Sequence, residues 1–289
     1  MNNLLVFGAG YCASACAARS RQYFTGVQGT TRSAARMEAL GSSGILPLQF
    51  DGKLSWKLGA AIDQASHLLV STAPGNNGDP VLEVCGRAIA KSRALKWVCY
   101  LSTVGVYGDY QGAWVSEESR CRPVSARSIE RVAAEKAWRE FTAGMKIPLA
   151  IFRLSGIYGP GRNAFINIAN GTSRRLVKPG QVFNRIHRDD IAAAFALASA
   201  SLQSGVFNIT DDEPAPPQDV VSLAHTVAGI APPEETDFAT AQLSVMARSF
   251  YGENKRVSNH KSKSVLGMGY AWPNYRDALA KMWETDAWR

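Results

Sequence analysis

Gly8-Ala9-Gly10-Tyr11-Cys12-Ala13 is a G-x-G-x-x-A string set between a short apolar run, residues 4–7, and a stretch with helical periodicity. Gly8 permits a tight turn, Gly10 removes the side chain where a backbone must approach a pyrophosphate, and Ala13 keeps helix and strand close. Tyr11, Cys12 and Ala13 then open a helix, whose free N–H groups and partial positive charge hold phosphate. Glycines mark many ordinary turns; the placement between strand and helix is what makes this one read as a dinucleotide cradle.

The nucleotide type is written at the end of the second apolar run, residues 26–30. It leads into Thr31-Arg32-Ser33, with Arg36 a helical turn later. An NAD site usually places Asp or Glu here for the ribose 2′-hydroxyl. An acid would repel a 2′-phosphate, whereas an arginine fork holds one bidentately. Thr31, Arg32 and Arg36 therefore favour NADP, with NAD as the alternative; the plainer account is two arginines decorating a helix start. Asp51, just past the third run, either accepts from the adenine amino group or serves a turn.

A third chemical signal is charge. The chain has 32 Lys+Arg against 24 Asp+Glu, a net +8. Seven basic residues and no acid lie between Arg153 and Arg188, and no Lys or Arg lies between Asp189 and Ala247. A nucleic-acid surface would interleave basic residues with aromatics over a longer stretch. The local run fits a small anionic ligand, or a solvated loop face. The five Cys are odd in number and irregularly spaced, as expected of free thiols in a reducing cytoplasm. Cys12 and Cys16, one helical turn apart, read as core thiols. The four scattered His give no ligand pair for zinc, so no metal is expected. No apolar run reaches the ~18 residues of a membrane span, and the N-terminus lacks the basic region of a signal peptide.

The elements that must position these groups follow from periodicity. Short apolar runs at 4–7, 26–30, 45–48, 67–71, 97–102 and 149–153 alternate with helical patterns near 13–22, 33–40, 54–63, 79–93 and 125–143. Such runs read as parallel strands buried on both faces, joined by crossover helices. The class is α/β: a Rossmann, doubly wound parallel sheet with a smaller C-terminal substrate lobe. Residues 1–158 form the dinucleotide-binding unit, with 186–210 (a helix at 189–201, a strand at 206–210) returning to the sheet. Residues 159–185 and 211–289 form the lobe, with helices near 218–229, 240–248, 258–266 and 274–284.

Taken together, the motifs resemble the extended short-chain dehydrogenase/reductases, the NAD(P)-dependent epimerase/dehydratase-like branch. The matching strings are Gly8–Ala13; Ser71-Thr72-Ala73-Pro74; Leu101-Ser102-Thr103-Val104-Gly105-Val106-Tyr107-Gly108; residues 153–162; Ile186-His187-Arg188-Asp189-Asp190-Ile191; and residues 207–214. They occur in the family's order across nearly the whole chain. The resemblance implies that Ser71, Thr72, Ala73, Pro74 and Ser102 lie along the cofactor. It puts the hydroxyl that orients a substrate carbonyl at Thr103, and implies a substrate crevice at the sheet's C-terminal edge.

The family's other two catalytic residues, a Tyr and a Lys four positions on, are missing. Pro123 and Ala133-Ala134-Glu135 match the family's anchors and place the Tyr seat at Arg127 and the Lys seat at Arg131. An arginine stays protonated near neutrality and cannot exchange a proton. Arg131 is still suited to a ribose or phosphate. This resembles the atypical members, which keep the framework without the catalytic pair. Tyr107 leads Tyr110 and Tyr158 as a substitute proton donor, although the resemblance makes Tyr107 and Tyr158 packing residues. His187 reads as a structural group at a helix start, with Asp189 or Asp190 as its cap. Residues 250–259 either close over the substrate or form a linker.

Two functions are compatible with these residues. One is a cytoplasmic NADP-dependent oxidoreductase-like enzyme of the epimerase/dehydratase type, whose small anionic substrate, a sugar nucleotide or phosphorylated metabolite, meets Arg127, Tyr158, Arg162 and Arg185. The other is an NADP(H)-binding module without turnover. No nucleic-acid or membrane partner is expected. By analogy, a homodimer would form through the helices at 79–93 and 125–143.

Overall fold

The computed structural model describes residues 2–289. Seven strands form one sheet: β1 (Asn3–Phe7), β2 (Gly26–Thr31), β3 (Leu46–Gln49), β4 (His67–Val70), β5 (Trp97–Thr103), β6 (Leu149–Leu154) and β7 (Gly205–Ile209). They lie in the order β3-β2-β1-β4-β5-β6-β7. All pairs are parallel; Leu4 stands between Val27 and His67, and Cys99 between Leu69 and Ala150. The first six strands follow the doubly wound dinucleotide order, with its switch point between β1 and β4. Strands β4 and β6 are buried at every residue, which is why they read as unbroken apolar runs.

Helices α1 (Tyr11–Ser20), α2 (Ala34–Ser42), α3 (Trp56–Gln64), α4 (Pro80–Lys91) and α5 (Ala126–Met145) connect the first six strands. After them come α6 (Ala164–Ala169) and α7 (Arg188–Ala200). Cys12, Ala13, Cys16 and Ala17 of α1 and Ala192, Ala194 and Ala198 of α7 share a core with Val6, Leu69 and Phe152 on one face. The small side chains let α1 and α7 lie side by side. Leu58 and Ile62 of α3, Val81 and Ile89 of α4, and Trp138 of α5 cover Leu5, Val70 and Ile151 on the other. All five cysteines are free, and burial pushes the Cys12 thiol up to about 11, so Cys12 and Cys16 are core thiols.

A smaller core holds Phe165, Ala224, Trp272, Leu279 and Met282. It is built by α6, α8 (Pro217–Val227) and α11 (Tyr275–Glu284); of the two helices between, α9 (Val245–Phe250) and α10 (His260–Leu266), α10 places Leu266 in the first core. The helix expected at 240–248 starts later, because Ser244 accepts from the Ala247 amide and sets the cap there. Three parallel strand pairs were not expected: Gly156–Tyr158 with Arg185–His187, Arg175–Val177 with Glu235–Asp237, and Trp114–Val115 with Arg256–Val257.

The last pair ties down residues 250–259, which are not a loose linker. Lys255 Nζ donates to Gly108 O at 2.7 Å and to Glu253 at 2.6 Å, and Asn184 accepts from the Val257 amide at 2.8 Å. The segment straps the loop after β5 to the lobe. No helix among the described residues is long and apolar enough to cross a membrane.

Candidate cofactor and active site

The glycine string forms a tight cradle between β1 and α1. Gly8 adopts φ +79°, and a Cβ there would sit 3.1 Å from Thr72 Cγ2 and N, so both conformation and space call for glycine. Gly8 N donates to Thr30 Oγ1 at 2.9 Å, and Gly10 N folds back on Gly8 O at 2.7 Å. The space over Gly10 is open, with the nearest atom to a Cβ being Gly8 O at 3.9 Å. Gly10 caps α1 with no side-chain bond, and the first turn holds no acid. The amides of Tyr11, Cys12 and Ala13 thus have no intrahelical acceptor. Thr72 Oγ1, behind the turn, is buried without a partner.

At the end of β2, Thr31 is buried and its Oγ1 accepts from the Ser33 amide at 3.2 Å, which turns Arg32 outward. Arg32 and Arg36 are exposed, and none of the described residues pairs with either. Ser33 caps α2 without a side-chain bond, and that first turn also lacks an acid. Asp51 is exposed and accepts from Gln49 at 3.4 Å. Ser71 continues the β4 ladder by donating to Phe7 O at 2.8 Å, and Ala73 and Pro74 lead away from it.

The C-terminal end of β5 meets the N-terminal turn of α5. Thr103 Oγ1 accepts from the Gly105 amide at 3.1 Å. A Cβ on Gly105 would lie 2.9 Å from Ser128 Oγ and 3.4 Å from Thr103 Oγ1, so the two hydroxyls flank one glycine. Ser128 was missed in the sequence, where it is one serine among many. Arg131 Nη1 donates to Leu101 O at 2.9 Å and to the Tyr100 hydroxyl at 3.0 Å. Arg127, on the same turn, is exposed and pairs with none of the described residues. Thr103, Arg127 and Arg131 are thus brought to one edge.

Two expected residues do not join them. Tyr107 is fully buried; its hydroxyl donates to Asn208 Oδ1 at 2.7 Å, the Arg153 guanidinium lies 4.9 Å from its ring, and burial pushes the phenol up to about 12. The short helical turn Val104–Tyr107 folds it inward, so the proton-donor reading is corrected to a packing role. Ser102 is also turned away from the cradle. It donates to the buried Glu135 at 2.5 Å, which pairs with Arg153 at 2.8 and 3.1 Å. The cofactor contact expected of Ser102 is corrected to this internal network.

The lobe-side candidates divide. The Tyr158 hydroxyl is buried without a partner, and burial raises its pKa. Arg185 Nη1 donates to Phe183 O at 2.9 Å and Ala215 O at 3.1 Å, which ties it to the lobe's own backbone. Asp211 beside them is 2% exposed, and burial pushes its carboxyl up to about 8 against the pull of Arg185. His187 caps α7 itself, accepting from the Asp189 amide at 3.2 Å, and stacks on Trp272 at 4.0 Å. Asp190, one of the two expected caps, instead turns inward to accept from the amides of Ala271 and Trp272 at 2.9 and 3.0 Å.

The basic run 153–188 forms no single surface. Arg153 is buried on Glu135, Arg175 pairs with Glu235, Lys178 donates to Tyr251 O, and the Arg188 guanidinium lies 4.8 Å from the Tyr11 ring at the glycine turn. No group of three or more His, Cys, Asp or Glu suited to a metal occurs among the described residues.

Residues 76–210 match the model of the NAD dependent epimerase/dehydratase family. Curated proteins give no match. The chain is similar to the solved structure of a functionally unknown conserved protein from Silicibacter pomeroyi, 44% identical over 100% of both chains, TM-score 0.91. It shares its fold with UDP-glucuronic acid 4-epimerase from Bacillus cereus in complex with NAD (17% identity, 99% of this chain and 100% of that one, TM-score 0.75). The same holds for dTDP-glucose 4,6-dehydratase from Bacillus anthracis in complex with NAD (16% identity, 98% and 96%, TM-score 0.79).

Proposed function

We propose that this chain, of which residues 76–210 match the NAD dependent epimerase/dehydratase family, is a dinucleotide-dependent enzyme that prefers NADP and acts on a small anionic molecule. The observation that carries the reading is the cradle: open space over Gly10, uncapped first-turn amides and the orphaned Thr72 hydroxyl form a site that fits a diphosphate. When bound, the dinucleotide would supply hydride transfer to or from the substrate.

The chain's own groups do the rest. Arg32 and Arg36, with the uncapped start of α2, take the 2′-phosphate that an acid would repel. Asp51 and Ser71–Pro74 line the adenosine and diphosphate side. Arg131, anchored on Leu101 O and Tyr100, keeps its remaining N–H groups for the nicotinamide ribose. Thr103 orients the substrate oxygen. Arg127 holds the substrate's negative charge, and as an oxygen develops charge it stabilises the anion as an ion pair, leaving the proton to water at this exposed position. In this reading residues 1–158 with 186–210 hold the cofactor, while 159–185 and 211–289 cover the substrate.

A second reading has one observation behind it. With Arg131 engaged by Tyr100 and Leu101, and no phenol at position 127, the site matches a module that binds NADP(H) without turnover. Loss of NADPH absorbance with a panel of carbonyl compounds and nucleotide sugars separates the two. The enzyme reading expects one compound to oxidise NADPH and Thr103→Ala to slow it. Tight NADPH binding with no turnover, and a Thr103→Ala variant altered only in stability, would leave the binding module.

A further inference from the structure

We propose that Arg188 and Arg162 are ligands of the cofactor diphosphate, closing the amide cradle from the lobe side; the proposal rests on the reading that the cradle takes a dinucleotide. Arg188 is the first residue of α7, which lies along α1 with its start at the same edge of the sheet. Its guanidinium stands 4.8 Å from the ring centroid of Tyr11, the first residue of α1. The Tyr11 hydroxyl in turn donates to Pro160 O at 2.9 Å.

Gly159 is the point of closest approach. A Cβ there would fall 2.8 Å from the Tyr11 hydroxyl, 3.3 Å from His187 Nε2 and 3.4 Å from Arg188 Cβ. Only glycine lets the lobe loop press onto the cradle this closely. His187 Nε2, facing that glycine, is buried without a partner. Arg162, three residues on, is exposed and pairs with no acid among the described residues. Gly159 and Arg162 exchange backbone hydrogen bonds at 3.0 Å each, which holds Arg162 in the loop that presses on Tyr11, and the charges of Arg162 and Arg188 both act to lower the pKa of the Cys12 thiol and the Tyr11 phenol.

Arg188 engages one carboxylate, Asp189 Oδ1 at 3.3 Å through Nε, which leaves its terminal nitrogens free. Two guanidiniums and one helix N-terminus thus converge where the first turn of α1 has no acid. A diphosphate bearing two negative charges complements that arrangement. The assignment moves Arg162 from the substrate to the cofactor.

Calorimetric titrations of the wild type, Arg188→Ala and Arg162→Ala test this. NADPH, NADH, ADP-ribose and inorganic pyrophosphate carry the diphosphate; 2′-AMP does not. Each variant is expected to bind the first four about 10- to 100-fold more weakly. It should bind 2′-AMP as the wild type does, and its dissociation constants should rise less steeply with salt. Arg188→Lys should recover part of the loss. Unchanged ADP-ribose binding in both variants overturns the proposal and leaves the proposed function intact. Equal weakening for 2′-AMP also overturns it, since that marks general disruption. If the wild type binds no dinucleotide, the proposed function fails, and the clamp fails with it.

Discussion

Arg32 stands exposed at the end of β2 with no partner among the described residues, a position that follows from a local offset from the glycines. Arg32→Asp should weaken NADPH binding by about 10- to 100-fold, on the order of 1.4–2.8 kcal/mol, and leave NADH unchanged. Fluorescence titration of both nucleotides checks it, and equal losses would place Arg32 away from the 2′-phosphate. Tyr107 was misjudged because its partner, Asn208, is 101 positions away. Tyr107→Phe removes the donor from a buried acceptor and should cost about 1–3 kcal/mol in urea unfolding while leaving NADPH affinity unchanged. A variant of full stability but without turnover would restore Tyr107 as a proton donor.

Elements were legible wherever burial imposed a period. The strands β1–β7 and the long helices came out near their observed limits: the central β4 and β6, covered on both faces, are buried at every residue and read as near-continuous apolar runs, and a covering helix must repeat every 3.6 residues. The two- and three-residue strand pairs were not, because such lengths show no period. The same limit hid the tie between α5 and β6. Glu135 served in the sequence only to fix the register of the Tyr and Lys seats, yet it is the buried counter-ion of Arg153, with both side chains 4% exposed. Glu135→Gln keeps the shape and strands a buried guanidinium, so it should destabilise by about 3–5 kcal/mol. Denaturant unfolding measures it, and a loss under about 1 kcal/mol, the range of an exposed ion pair, would mean that water reaches the pair.

At the scale of the whole molecule, net charge misled where local spacing did not: the basic run that looked like one surface is split between a buried pair, backbone carbonyls, the lobe and the cradle. The lobe instead joins the sheet through buried polar groups just past β7, and these make stability depend on pH. Burial raises the Asp211 carboxyl from 3.8 to about 8, with Arg185 opposing and the nearby Asp212 and Glu213 adding to the rise. A carboxyl whose folded pKa lies above its unfolded value binds its proton more tightly when folded. Its contribution to stability is therefore complete below about pH 4 and is lost as pH climbs through about 8. Burial raises Asp79, Asp190 and Glu117 in the same direction, while the buried His187 and His67, whose pKa burial lowers, oppose the trend until the unfolded histidines have lost their protons; the wild type should therefore melt at progressively lower temperature from about pH 6.5 to about pH 8. Asp211→Asn carries no ionisable group there and isolates its share: thermal melts across that range should show a shallower decline, with the variant gaining on the wild type as pH climbs. Parallel curves for the two proteins would mean that Asp211 finds a solvated or paired environment as it ionises, and that the lobe is not held on the sheet by a dry carboxyl.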